Sequence, residues 1–143
     1  MQVELTTETQ DPAVLQELLQ FLADLNMLFL VAHPDTPALY RSGVLYRREP
    51  RQVVRVERFC GIPDVLRQGW GDCDDLAPWR AAELNLRGIG ARPVLIDATH
   101  PSYRNVSRGK VRRLWHVVVE RALEGSDEVV YEDPSARLGM YDV

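Results

Sequence analysis

The sequence is poor in the residues that mark most chemistries. Its 143 residues hold two cysteines, Cys60 and Cys73, and three histidines, His33, His100 and His116. The two cysteines are 13 positions apart, which fits none of the paired-cysteine zinc patterns. A structural disulfide is not expected in a reducing compartment. Basic residues are in deficit: 17 Lys and Arg against 21 Asp and Glu leave a net charge of −4. No basic block is present, so the electrostatic footprint of a nucleic-acid binder is missing. Repeats, low-complexity tracts and obvious linkers are also lacking. No apolar stretch reads as long enough to span a bilayer, and the opening MQVELTTETQ has neither the basic region nor the apolar core of a signal peptide. These absences predict a cytoplasmic protein with no membrane partner and no nucleic-acid partner. The length suits one domain, residues 1–143, and a composition of 45% hydrophobic and 27% charged residues is ordinary for a soluble fold.

The patterning predicts a mixed fold. Val3 and Leu5 alternate with polar residues and suggest a first strand. Asp11-Pro12 opens a helix, with Asp as the cap and Pro in its preferred first position. Val14, Leu15, Leu18, Leu19, Leu22, Leu25 and Phe29 form an apolar stripe at helical spacing, which is read as core. Pro34 ends that helix. From Pro34 to Gln68 the prolines and glycines predict loop with short extended pieces at Val44-Leu45-Tyr46 and Gln52 to Val56, forming one wall of a cleft. Asp72 to Leu86 reads as a largely buried second helix, capped by Asp72 or Asp74 and terminated at Gly88. Pro78 predicts an irregular first turn there. Strands follow at Pro93–Ala98, Val111–Glu120 and Glu128–Glu132, with a polar loop from Thr99 to Lys110 and a packed tail LGMYDV. Helices followed by consecutive strands imply α+β with an antiparallel sheet.

Cys73 stands at the head of the second helix, where the positive end of the backbone dipole favours a thiolate. His116, in an apolar run after Trp115, would supply the imidazolium that also lowers the thiol pKa. Asp133, before Pro134, is the group that would orient the imidazole. If Val129 pairs with Glu120, Asp133 falls opposite His116 on one sheet face, about 5 Å away at Cβ. Alternation then turns Trp115, Val117 and Val119 to the core and His116 to the cleft. Asp72, Asp74 and Asp75 oppose the thiolate as close negative charges. They are expected to serve as caps or to pair with Arg80, Arg87 or Arg92. Taken singly, each residue has a plainer reading: Cys60 as a small buried apolar residue, Cys73 as an inert thiol, His116 as a satisfied strand histidine, Asp133 as a turn residue. Their order and placement carry the case.

At these residues the chain resembles the transglutaminase-like superfamily, a branch of the papain-like cysteine enzymes. The resemblance runs from Gly69 to Pro134, about half the chain. It rests on Gly71-Asp72-Cys73, on Ala77 one turn on, on Arg87-Gly88-Ile89-Gly90-Ala91-Arg92 leading into a strand, on Trp115-His116, and on Asp133-Pro134. It implies a papain-like core with the nucleophile helix packed on an antiparallel β-sheet. It further implies Cys73 as nucleophile, His116 as base and Asp133 as orienting group, acting on the amide of a peptide or protein through a thioester. The oxyanion donors would be the Cys73 backbone N–H and a group from the upstream loop. Gln68, Trp70 and Trp115 are the candidates for the oxyanion site and the cleft wall. No cofactor and no metal are implied, because the chain lacks the added domains of the calcium-dependent crosslinking members. Small chains of this kind also resemble bacterial and phage proteins, which suggests a morphogenesis or processing role. Three alternatives stand beside it: a catalytically silent binding or assembly protein on the same fold, a metal site built from Cys73, His116 and Asp133, and a cell-wall peptidase of the NlpC/P60 type.

Overall fold

Residues 4–7, 11–48, 57–97 and 115–141 are described by a computed structural model. The expected strand at Gln52 to Val56 and the loop from Thr99 to Lys110 lie outside these residues, as does the start of the strand expected at Val111. The architecture is α+β. Strand β1 (Glu4–Thr7) is followed by helix α1 (Pro12–Ala32), a 3-10 turn (Leu39–Arg41), and strands β2 (Leu45–Tyr46) and β3 (Glu57–Cys60). Helix α2 (Ile62–Gln68), strand β4 (Trp70–Gly71) and helix α3 (Cys73–Leu86) come next. Strands β5 (Ala91–Asp97), β6 (Trp115–Ala122) and β7 (Val129–Glu132) and the short helix α4 (Pro134–Arg137) complete the chain.

Strands β5, β6 and β7 form an antiparallel sheet in that order, β1 pairs antiparallel with β3, and β2 pairs parallel with β4. Helix α3 is the centre of the molecule. Every residue from Asp74 to Leu84 is buried, because both flanks of the helix are covered. On one side Ala77, Ala81 and Leu84 meet Leu15, Leu19 and Leu22 of α1 and Val117 and Val119 of β6. On the other, Leu76, Trp79 and Ala82 meet Leu30, Leu39, Ile62 and Val65. Each such buried aliphatic side chain contributes roughly 1.5–3 kcal/mol. The helix runs unbroken through Pro78, so the expected irregular first turn is corrected. One backbone hydrogen bond is forgone there, and burial on all sides holds the helix together. Gly88, at φ 80°, turns the chain out of α3 while the Ile89 N–H returns to the Leu84 carbonyl at 3.0 Å.

Helix α1 starts as expected, with Ala13 N–H donating to Asp11 Oδ1 at 2.9 Å. Its buried face is Leu15, Leu19, Leu22, Ala23, Asn26 and Leu30. Val14 is 40% exposed, so the apolar stripe is rotated by a residue from the expected one. The helix also corrects the reading that no apolar stretch reaches membrane-spanning length: its 21 residues include a window of mean hydropathy 1.5. Here it packs against α3 and β5. Two of its amides have specific partners. Asn26 Oδ1 accepts from Ile62 N–H at the head of α2. Gln16 bridges the outer edge of β5, donating to the Pro93 carbonyl at 2.7 Å and accepting from Leu95 N–H at 2.9 Å. That edge would otherwise present unpaired backbone groups.

Strand β3 and helix α2 occupy part of the segment expected to be loop. Pro63 is the reason α2 was hidden. Proline in the first turn starts a helix rather than breaking it, and Gly69, at φ 81°, closes it in the left-handed conformation.

Candidate active site

Cys73 is delivered to its position by a tightly packed approach. Gly69 redirects the chain into β4, whose Trp70 and Gly71 register with Leu45 and Tyr46. A Cβ on Gly71 would lie 3.1 Å from Leu76 Cδ2, 3.2 Å from Asp75 Cβ and 3.4 Å from Val65 Cγ1. A side chain at the first position of Gly-Asp-Cys would therefore press on all three neighbours. Asp72 is the N-cap of α3 and Cys73 its first helical residue. The Asp75 carboxylate reaches back to accept from Asp72 N–H at 3.2 Å and from Cys60 N–H at 2.7 Å. The helix start is thus fixed to β3 as well as to itself.

His116 and Asp133 are brought together. Nε2 of His116 lies 2.9 Å from Asp133 Oδ2, with the two side chains 3% and 20% exposed. The strand register differs from the expected one. Ala122 pairs with Val129 and Val119 with Glu132, two residues away from a pairing of Val129 with Glu120. A shift of two preserves the face, whereas a shift of one would have reversed it. Asp133 therefore meets His116 as a diagonal neighbour, within reach of side chains of this length. Asp133 also caps α4, its Oδ1 accepting from Ala136 N–H at 3.3 Å. Val117 and Val119 face the α1–α3 core as expected, and His116 is buried on the alternate side of β6.

Cys73 is half-buried and, like Cys60, is in no disulfide. Burial pushes its thiol well up from the ordinary value, and the charges of Asp72, Asp75 and Asp133 push the same way. The backbone N–H of Val117, next to His116 in the chain, faces the sulfur and favours the thiolate. The thiol therefore reaches the His116 strand through Val117, with Asp133 close enough to act on it electrostatically.

Around this centre the three aspartates do not pair with Arg80, Arg87 or Arg92, which corrects that half of the expectation. Arg80 is engaged by Glu132 and Glu83, and Arg92 by Glu120. The caps were expected correctly. Burial raises the carboxyls of Asp74 and Asp75 well above the usual range, and the Asp72 charge adds to it. Asp72, Asp74 and Asp75 bring ligand-type oxygens within 4.8 Å of one another, the one such group among the described residues. Both Asp75 oxygens already accept backbone N–H groups, so Asp75 is committed to the cap, while Asp72 Oδ1 and Asp74 Oδ1 are buried without a hydrogen-bond partner. Cys73, His116 and Asp133 do not form a group of that kind among the described residues.

Of the other candidates, Gln68 donates its amide to the Trp70 carbonyl at 2.6 Å. The Trp70 ring lies under Arg47, 5.5 Å from the guanidinium carbon. Trp115 begins β6, half-buried and in register with Asp97. The neighbour of the thiol that sequence reasoning missed is Tyr46. Burial pushes its hydroxyl up to about 12, and the nearby Cys73, Asp72 and Asp74 add to the shift while Arg48 opposes it. Tyr46 appeared in the sequence only as part of an extended piece, and no signal there distinguished it. The pairing of β2 with β4 puts it opposite Gly71, two residues before the cysteine.

Compared with known proteins, the chain matches no family model, no curated protein and no solved structure.

Proposed function

We propose that the chain is a cysteine-dependent hydrolase or acyltransferase of the transglutaminase-like, papain-like type, acting on the amide of a peptide or protein in the cytoplasm. The observation that supports this most is the 2.9 Å His116–Asp133 pair, set on the strand whose Val117 N–H faces the Cys73 sulfur. In this reading Nε2–H donates to Asp133 and Nδ1 takes the thiol proton. The thiolate attacks the carbonyl carbon. The tetrahedral intermediate collapses as the imidazolium returns its proton to the departing amine, which leaves a thioester. Water, deprotonated by the same ring, releases the acid and restores the thiol. The oxyanion is held by the Cys73 backbone N–H, with the Tyr46 hydroxyl as a second donor in place of Gln68, whose amide is already committed.

A second reading, a catalytically silent binding or assembly protein, is favoured by one observation: burial and Asp72 both hold the thiol protonated. Alkylation separates the two. Cys60 is only 1% exposed, which makes it a poor internal reference. The comparison is therefore between Cys73 in the wild type and in His116→Gln. An active site predicts alkylation by iodoacetamide at neutral pH about tenfold or more faster in the wild type. Equal rates overturn the catalytic reading. A thiol-directed activity probe, controlled by Cys73→Ala, then guides a peptide-library screen for the substrate.

A further inference from the structure

The helix that carries Cys73 and the strand that carries His116 each send one side chain to a single carboxylate, Glu132, the residue before Asp133. From α3, Arg80 Nε donates to Glu132 Oε2 at 2.6 Å. From β6, Arg121 NH1 donates to Glu132 Oε1 at 2.8 Å. Glu132 itself ends β7, one residue before Asp133. Tyr40 adds its hydroxyl to Oε2 at 2.5 Å, and its ring is flanked by the guanidiniums of Arg80 at 4.8 Å and Arg137 at 3.9 Å. Arg80 also binds Glu83, whose other oxygen accepts Leu39 N–H at 2.6 Å, fixing the 3-10 turn that holds Tyr40. The paired side chains are shielded, 8% exposed for Arg80, 13% for Glu132 and 16% for Arg121.

We propose that Glu132 is a positioning residue: by tying α3, β6 and β7 together through Arg80 and Arg121, it holds the His116–Asp133 pair in register with the Cys73 helix. The inference rests on the catalytic reading of those three residues. A network of this burial is an expensive way to gain stability alone, and its members are placed where each fixes one part of the site. Desolvation of Glu132 acts to raise its carboxyl, yet the donors from Arg80, Tyr40 and Arg121 outweigh it and hold the group ionised.

The test uses Glu132→Gln and Arg121→Gln, alone and combined, with Arg121→Lys as the conservative rescue. A glutamine has one acceptor oxygen. Its amide nitrogen must face either Arg121 or both Arg80 and Tyr40, and the single loss at Arg121 is the smaller. Both variants therefore cut the same tie to β6, and the double variant should behave like either single. Two readouts are taken on protein shown to be folded by circular dichroism. One is the hydrogen-bonded ring N–H resonance of His116, assigned by its absence in His116→Gln. The other is the alkylation rate of Cys73. Expected are a broadened or missing ring signal and a rate lowered by about tenfold or more, since small misplacements of reacting groups cost up to about 10²-fold. Arg121→Lys should recover most of both. Folded variants with the wild-type ring signal and rate overturn the proposal. If Glu132→Gln does not fold, the Arg121 pair decides. If the wild-type thiol proves no faster than in His116→Gln, the catalytic reading falls, and the ring signal still decides whether Glu132 positions the pair.

Discussion

Asp133 serves two donors, and asparagine cannot serve both. Its Oδ2 accepts from His116 Nε2 at 2.9 Å and its Oδ1 from Ala136 N–H at 3.3 Å. In Asp133→Asn one of those positions becomes an NH2 group facing a donor. The amide can keep its oxygen on His116 and oppose Ala136, giving up the cap of α4. Or it can keep the cap and donate to Nε2, which drives the ring proton to Nδ1 and removes the base. The geometry selects the first. A bond from a donor to a charged acceptor is worth about 1.5–3 kcal/mol, the cap is typically worth about 1 kcal/mol, and 3.3 Å is long for it. Asp133 is 20% exposed, so the lower end of each range applies. Stability should fall by about 1 kcal/mol, a drop in melting temperature of roughly 3–5 °C for a chain of this size. On the proposed catalytic reading, the ring keeps its orientation but loses the carboxylate that balances its charge when the thiol proton arrives. A loss of about 1.4–2.8 kcal/mol there slows Cys73 alkylation roughly 10- to 100-fold. Thermal melting by circular dichroism and intact-mass kinetics with iodoacetamide read the two effects separately. A lower melting temperature with unchanged alkylation would mean that Asp133 is only a helix cap, and the reasoning would be refuted.

Three further outcomes follow from the packing around Cys73. Gly71→Ala forces a methyl against Leu76, Asp75 and Val65 at 3.1–3.4 Å; urea unfolding should show a loss of about 1–3 kcal/mol, and a neutral result would mean that the approach to Cys73 has slack. Asp72→Asn removes the largest charged contribution holding the thiol protonated. Its alkylation-against-pH curve should shift to lower pH, and a curve unmoved from wild type would show that the Asp72 charge does not act on the sulfur. Asp74→Asn probes a carboxyl raised above its ordinary 3.8 by burial and by Asp72. The folded state holds that proton more tightly than the unfolded chain, so the contribution of Asp74 to wild-type stability declines as pH rises above about 3.8. The advantage of the variant over wild type should therefore grow from acid toward neutral pH in denaturant titrations, and a constant difference would contradict the burial of Asp74.

The head of α3 was legible because its signals are local. Asp72 before the helix, carboxylates in its first turn and Gly88 after it each act within a few residues. The His116–Asp133 contact was legible for a different reason. It depends on the parity of the β6–β7 pairing, and the turn set that register two residues from the expected one without changing the face. Leu123 N–H closes on the Glu128 carbonyl at 2.8 Å, a shorter connection than a pairing of Val129 with Glu120 implied. What escaped was non-local. Charged Arg80, Glu83 and Glu132 look like solvated surface in the sequence and turn out to be shielded partners drawn from α3 and β7. Helix α2 was masked by Pro63, read as loop punctuation. Tyr46 gained its place beside the thiol only through a two-residue parallel strand.

The acidic ring around Cys73 and the reactivity proposed for it pull in opposite directions, and the contacts separate what the fold needs of that ring from what it does not. Asp75 is committed to structure: its two oxygens fix the Asp72 and Cys60 N–H groups, and removing it leaves buried donors unpaired at a cost of about 1–3 kcal/mol. Asp72 is the cap, exchangeable in principle for a neutral Ser, Thr or Asn of similar strength. Its negative charge is therefore the one element of the ring that the fold does not require and that most directly opposes the thiolate. On the proposed catalytic reading, an acidic cap that holds the thiol protonated makes attack depend on proton transfer to His116. In that reading the thiolate forms where the imidazole, Val117 N–H and the helix end act together, and a buried cysteine with no such partners stays inert. On this argument Asp72 sets how strictly Cys73 depends on its base, and the dependence on His116 should weaken when Asp72 is made neutral.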